Sequence, residues 1–256
     1  MSSFCCEAAV VRGEDAATLF VDIQKFYDHI DLSRLIDKMV ELDYPEYLLL
    51  ISCQVMAGPR VLSDSSTYSE WIYPDNSIVA GSGQANNFAR GMLFAILKKT
   101  AELLPRGLNQ FVDDVSLRVT GNPWTIRRTL RAAAKQFIGD VQDLGFTVSP
   151  KSVLVATTSD LSAQLALGIV MDTGVEFTVE AATRELGADA AAGKRRSTLV
   201  QNKRLAAGRL RTAKIGVVAA PTGRGAYLFN SGSFPQSCYA HLIMGFAPFQ
   251  DAEDEI

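Results

Sequence analysis

The stretch Phe111-Val112-Asp113-Asp114-Val115-Ser116-Leu117 constrains this chain more than any other. Two adjacent aspartates stand between short apolar runs, 108–112 and 115–119, rich in Leu, Val and Phe. Runs of this kind read as buried or half-buried strands, which puts the pair at the tip of a tight hairpin. Carboxylates held that close resist joint ionisation unless a cation lies between them. Hard oxygen donors with no His or Cys beside them point to Mg²⁺ or Mn²⁺ and away from zinc. An ordinary surface hairpin has the same spelling, because Asp is a common turn residue. The rest of the chain decides between the two.

A chain of 256 residues has room for one large domain or two modest ones with a real core. With 48% hydrophobic and 21% charged residues it is globular rather than disordered in composition. No apolar run approaches the roughly 18 residues of a bilayer span, and no signal peptide is expected at its start. Cys5, Cys6, Cys53 and Cys238 show no metal spacing and suggest no disulfide framework, and His29 and His241 are the only histidines. Zinc chemistry is therefore not expected, and a reducing, intracellular compartment is. The net charge of −3 conceals a segregation. Residues 184–214 hold nine basic groups against Glu185 and Asp189, and the segment before them is acidic. Charge arranged this way speaks to partners rather than to fold.

Residues 1–16 give weak signals and are expected to lack fixed structure. Thr18 to Val21 is a β-rich run ending on Asp22. Asp31 opens a helix with Leu32, Leu35, Ile36, Met39 and Val40 on one apolar face, and Pro45 starts a second helix through Met56. Residues 60–63 and 69–73 read as a hairpin without chemistry. Gly81-Ser82-Gly83-Gln84 is a flexible turn feeding a helix over 85–104. Such a turn lets a ligand approach closely and a helix start receive an anion or a nucleotide, although a plain loop looks the same. Pro123 begins a helix that reaches Leu144 and is capped by Gly145. Ile126, Leu130, Ala134, Phe137 and Val141 line one side of it; Arg127, Arg128, Arg131 and Lys135 form a solvated side. Strands are expected at 146–151, 153–155, 165–171 and 175–180, closed by 184–187.

From Lys194 to Lys214 the pattern predicts a helix with a narrow apolar stripe, Leu199, Leu205, Leu210 and Ile215. Lys194, Arg195, Arg196, Lys203, Arg204, Arg209 and Arg211 make its wide cationic face, suited to a phosphate backbone through charge and counterion release. A solubilising surface helix is the alternative. Beyond Ala219 the chain reads as a linker, then an apolar run from Cys238 to Phe249 and an acidic tail.

Asp22, Asp113 and Asp114 come from well-separated parts of the chain, with helices between them. That order suits a βαβ-type sheet whose neighbouring strands bring their acidic ends together. Three such carboxylates are expected to hold two divalent ions roughly 3.5–4 Å apart. One would activate a 3′-hydroxyl and the other stabilise a departing pyrophosphate, catalysis resting on positioning and charge neutralisation.

The ordered set resembles the palm of a reverse transcriptase, most similar to those of non-long-terminal-repeat retrotransposons and group II introns. Phe20-Val21-Asp22-Ile23-Gln24-Lys25-Phe26-Tyr27-Asp28 resembles the first palm motif, Gly83-Gln84 and the following helix the second. Phe111-Val112-Asp113-Asp114 matches the aromatic-x-Asp-Asp motif. Gly145-Phe146 with Ser149-Pro150-Lys151-Ser152 is similar to the motif carrying a lysine near the leaving pyrophosphate, and Leu186-Gly187 to the primer-grip hairpin. The resemblance implies an α+β polymerase-type palm over residues 17–190, an antiparallel sheet with helices packed on one face. A basic, thumb-like helix and a C-terminal segment would follow over 191–256. It further implies an RNA-directed DNA polymerase of a retroelement, nuclear in a eukaryotic host, acting on RNA template, DNA primer and deoxynucleoside triphosphates. Asp22, Asp113 and Asp114 would be metal ligands, Lys151 catalytic, and Ile23, Tyr27, Gly83 and Gln84 nucleotide-binding, with Tyr27 screening the sugar 2′ position.

Two departures stand out. The family places its fingers ahead of the first motif, whereas 21 residues precede Asp22, so the chain resembles a fragment or a truncated open reading frame, expected to polymerise poorly or not at all by itself. Gln84-Ala85-Asn86-Asn87 also replaces the usual Gln-Gly-x-Pro. The rivals are a degenerate palm that only binds RNA or an RNA–DNA duplex, and another palm-like two-metal enzyme such as a nucleotide cyclase.

Overall fold

Strand β1, Asp15–Val21, is buried along both faces, which only a central strand between two layers can be. In this computed structural model, residues 2–64, 66–74, 76–185, 188–192, 197–222 and 224–235 are described. Helix α1, Ser2–Val11, precedes β1, and a 3₁₀ turn, Phe26–His29, follows it. Then come α2 (Leu32–Glu41), α3 (Glu46–Ala57), the short hairpin β2 (Ser63–Asp64) and β3 (Thr67–Tyr68), and α4 (Ala85–Leu103). The hairpin β4 (Leu108–Phe111) and β5 (Asp114–Gly121) leads into α5 (Pro123–Asp143), β6 (Val153–Ala156), α6 (Ser159–Thr173) and β7 (Thr178–Val179). A second hairpin, β8 (Ala182–Glu185) and β9 (Ala188–Ala191), precedes the long α7 (Leu199–Thr222) and short α8 (Gly225–Leu228).

Five strands form one sheet in the order β4, β5, β1, β6, β7. The first four pair antiparallel and β7 joins β6 in parallel, so the sheet is mixed rather than purely antiparallel. Leu19 sits at its centre, opposite Leu117 on one side and Leu154 on the other. With Ala17 and Val21 it faces the main core, built against α5, with α4 and α6 flanking that helix. Successive β side chains alternate, so Ala16 and Phe20 point the other way. They meet Cys6, Val155 and Ala192 in a second, smaller core under α1, where the Cys6 thiol lies 3.6 Å from the Thr18 hydroxyl. Helices therefore cover both faces of β1, one of them formed by Ser2–Val11, where the sequence by itself predicts no fixed structure. Apolar atoms on the second face need a cover, and Cys6 and Ala9, one helical turn apart, provide it.

Local capping explains the starts of α2, α5 and α6. Asp31, Asn122 and Thr158 each accept a hydrogen bond from a backbone N–H three residues on, at 2.9, 2.8 and 3.2 Å. The expected strand at 165–171 is part of α6 instead. Leu161, Leu165, Gly168 and Ile169 are buried at helical spacing, and the surrounding apolar run hid that period. At Gly168 a Cβ would lie 2.7 Å from Arg131 Nε, so a larger residue would make that side chain shift. Arg131 in turn grips Asp172 through two bonds, Nε to Oδ2 at 2.9 Å and Nη2 to Oδ1 at 3.0 Å, which ties α5 to α6. In α2 only Leu35 and Met39 are buried; Ile36 and Val40 are exposed, so its apolar face is narrower than the sequence suggests. Among the described residues no helix is long and apolar enough to cross a membrane.

Leu19→Ala, at a fully buried position, is expected to lower stability by about 2–5 kcal/mol in urea unfolding. Trp124→Ala removes an exposed ring stacked 4.6 Å from the Arg128 guanidinium and should cost no more than about 1 kcal/mol.

Candidate active site

Register brings the acidic residues together. β1 ends at Val21, paired with Val115, and Asp22 follows where the antiparallel neighbour begins at Asp114. Phe111 pairs with Asp114, leaving Val112 and Asp113 as a two-residue loop. Val112 has φ 60°, a conformation that a β-branched residue resists and that hairpins usually assign to Gly or Asn. Strain of this kind, on the order of 1–3 kcal/mol, persists only where surroundings enforce it. Here the Val112 side chain packs on the main core and its carbonyl accepts a 2.8 Å hydrogen bond from Gln110 Nε2. The loop is thereby held with Asp113 turned to the Asp22 side.

Asp113 is half-buried, and its carboxyl is pushed above the ordinary carboxylate range. Burial is the main cause; the Asp22 charge adds to it and a backbone N–H partly opposes it. The Tyr27 phenol is also raised, by burial and then by the Asp113 charge. Asp22 itself is clamped through its backbone. Its N–H donates to Ser152 Oγ at 3.0 Å and its carbonyl accepts from Ser149 N–H at 2.8 Å. Gln24 N–H adds a 2.9 Å bond to the Thr147 carbonyl, and Ser149 Oγ accepts from Lys151 N–H at 3.2 Å. The turn carrying Lys151 is thus stapled to the residue bearing the first carboxylate.

Two clefts meet at Asp22 and Lys151. One, of about 500 Å³, is also lined by Ile23, Lys25, Tyr27 and Asp113; the other, of about 230 Å³, by Asn109, Gln110, Asp114 and Thr183. Asp113 and Asp114 therefore open to different sides of the hairpin with Asp22 between them. Among the described residues no group of three or more His, Cys, Asp or Glu is assembled as a ready metal-ligand set. Six sequence-derived site residues, Asp22, Ile23, Tyr27, Asp113, Asp114 and Lys151, do share this place.

Gly83 and Gln84 line neither cleft. The Gln84 side-chain oxygen accepts from the Tyr44 hydroxyl and from Asn87 Nδ2, so it braces the start of α4. Ala80 lines the larger cleft instead, and Asn86 Oδ1 accepts the Tyr27 hydroxyl at 3.0 Å. Ser152, Asn86 and Gln110 stand within stretches singled out in the sequence but carry no role of their own there. Each holds another group from a distance in sequence or across a turn, and polar residues near a Gly or Pro signal only the turn.

Thr183 also lines a wider groove of about 870 Å³ beside α7, together with Lys203, Arg204 and Arg211. Arg209 does not line it, and Arg211 Nη1 donates to the Gly232 carbonyl at 3.3 Å. Lys194, Arg195, Arg196, Leu186 and Gly187 lie outside the described residues. Leu199 and Leu210 are 62% and 67% exposed, so the expected apolar stripe of this helix is not packed at those two positions.

The mixed sheet with its flanking helices is a fold found in another solved protein. One solved structure that shares it is apo telomerase from Candida tropicalis, truncated from its C-terminal domain. The match has a TM-score of 0.50 at 12% identity and covers 75% of this chain and 38% of the telomerase chain. At that identity the likeness is one of fold. No protein-family model and no curated protein matches the chain.

A carboxyl with a raised pKa in the folded state binds protons more tightly there than when unfolded. Stability contributed by that proton is lost as pH rises through the folded value. Asp113→Asn is therefore expected to raise Tm at pH 7, while the gain disappears at pH below the ordinary carboxylate range. Thermal melts across that window test the sign.

Proposed function

We propose that the chain is the palm-type module of an RNA-directed DNA polymerase from a retroelement, transferring nucleotides to a primer 3′-hydroxyl. The observation that carries this reading is the meeting of Asp22 with the Asp113-Asp114 hairpin, with the Lys151 turn tied to Asp22. The fold shared with telomerase, a reverse-transcriptase-type polymerase, supports a nucleotidyltransferase.

The donors at the site are hard oxygens, and Asp22 and Asp113 line a cleft large enough for a nucleotide. Mg²⁺ keeps several waters and takes one or two carboxylates plus substrate phosphates, so a ready cage of three carboxylates is not needed. Two ions, Mg²⁺ or Mn²⁺, held by Asp22, Asp113 and Asp114 would supply charge neutralisation at the attacking and departing oxygens. The chain's own residues do the rest. The Ser152 and Ser149 clamp fixes the Asp22 backbone, and the Gln110 bond fixes the loop that carries Asp113. Lys151 faces the developing charge on the leaving pyrophosphate. In this reading Ile23 and Tyr27 border the sugar, and Asn86 Oδ1 accepts the Tyr27 hydroxyl. Gly83 and Gln84 act on the nucleotide through the α4 turn rather than by lining the cleft.

Template RNA and primer DNA are assigned to the groove beside α7. Lys203, Arg204 and Arg211 line it, and Arg209, Lys194, Arg195 and Arg196 extend the same basic segment. A second reading, a palm that binds an RNA–DNA duplex without catalysis, rests on the basic groove beside α7 alone.

Primer extension on an RNA template separates the two. Mg²⁺-dependent incorporation is expected, and Asp113→Ala should reduce it by more than the roughly 10–100-fold typical of groups that only support metal ligands. Salt-sensitive duplex binding with no incorporation by the wild type would establish the second reading.

A further inference from the structure

Lys25 breaks a local rule. Its backbone is left-handed, with φ 47° and ψ 44°, a region that residues other than Gly, Asn and Asp seldom enter. The residue is exposed and lines the larger cleft together with Lys151. Asp22, Asp28 and Asp113 line the same cleft, yet among the described residues neither lysine forms an ion pair. Opposite charges have been brought into one cavity of about 500 Å³ without neutralising one another. Carboxylates in such a cleft suit a divalent cation and ammonium groups suit phosphate oxygens. A ligand carrying both, a polyphosphate with its cation, matches the pattern; an uncharged nucleoside does not.

We propose that Lys25 is a phosphate-positioning residue whose ammonium, with that of Lys151, holds the triphosphate of the incoming nucleotide. The inference rests on the polymerase reading of the same cleft and adds a side chain to it. Lys25 lies three residues beyond Asp22, and the backbone clamp on Asp22 therefore also fixes the start of the segment carrying this cation. Lysine offers phosphate a compact point charge with three donors, so removing it weakens the hold on the triphosphate while leaving base pairing untouched.

Lys25→Gly is the informative variant, because glycine accepts the left-handed backbone and the fold should be at least as stable. In primer extension its KM for deoxynucleoside triphosphate is expected to rise about tenfold, with kcat and primer–template affinity little changed. Lys25→Arg should restore most of the loss. A readout that does not depend on turnover is the Tm shift produced by Mg²⁺ with inorganic tripolyphosphate, which should be smaller in Lys25→Gly than in the wild type. If the wild type extends primers but Lys25→Gly keeps both its KM and its tripolyphosphate shift, this inference is overturned and the polymerase reading stands. A wild-type chain that neither extends primers nor responds to tripolyphosphate overturns both.

Discussion

Antiparallel pairing between β1 and β5 decides where the charged groups of this protein fall. Seven consecutive pairs, from Asp15 with Gly121 to Val21 with Val115, leave no freedom at the end where Asp22 emerges. A slip of one residue would turn Leu19 and Leu117 out of the core, so burial enforces the register that the acidic residues need. The apolar layer thus imposes two unfavourable things at the same edge: a β-branched residue at positive φ and two carboxylates near enough to repel. Such local costs are tolerated where a site has been built, and the main core behind Val112 is what sustains them.

The electrostatics follow from that edge. Asp113 holds its proton more tightly than a free carboxyl would, chiefly because it is half-buried. A divalent cation bound there, as proposed, would reverse the balance, since positive charge favours the ionised form that burial disfavours. Lys25 and Lys151 bring positive charge into the cleft itself, and a denser block of it lies beyond. It is concentrated in the segment around α7, reached from the acidic edge through Thr183, which lines both the smaller cleft and the basic groove. Under the proposed function, one wall of the molecule would meet a cation and the adjoining one a phosphate backbone, which would reconcile a net negative chain with a nucleic-acid partner.

Much of this was legible in the sequence where the signal was local. The Asp-Asp hairpin, the helix begun at Pro123 and the strand ending at Asp22 each carry their own pattern within a few residues. What escaped depends on partners far along the chain. α6 looked like a strand because its apolar run is nearly continuous, and only the burial of Leu161, Leu165 and Ile169 together exposes the helical period. The opening helix has no amphipathic pattern of its own and gains its place from Ala16 and Ala192. Gln84 stood next to a glycine turn and was assigned to nucleotide, whereas Tyr44, 40 residues away, takes its side-chain oxygen. Ser152, 130 residues from Asp22, clamps it through a contact that no motif spells out.

Direct titration with Mn²⁺, followed by its paramagnetic signal, tests most closely whether Asp22 and Asp113 form one site. The wild type is expected to bind the ion, and Asp22→Asn and Asp113→Asn should each weaken binding by about tenfold or more. Equal Mn²⁺ affinity in all three proteins would contradict the account, because the two carboxylates would then not be acting on a common cation.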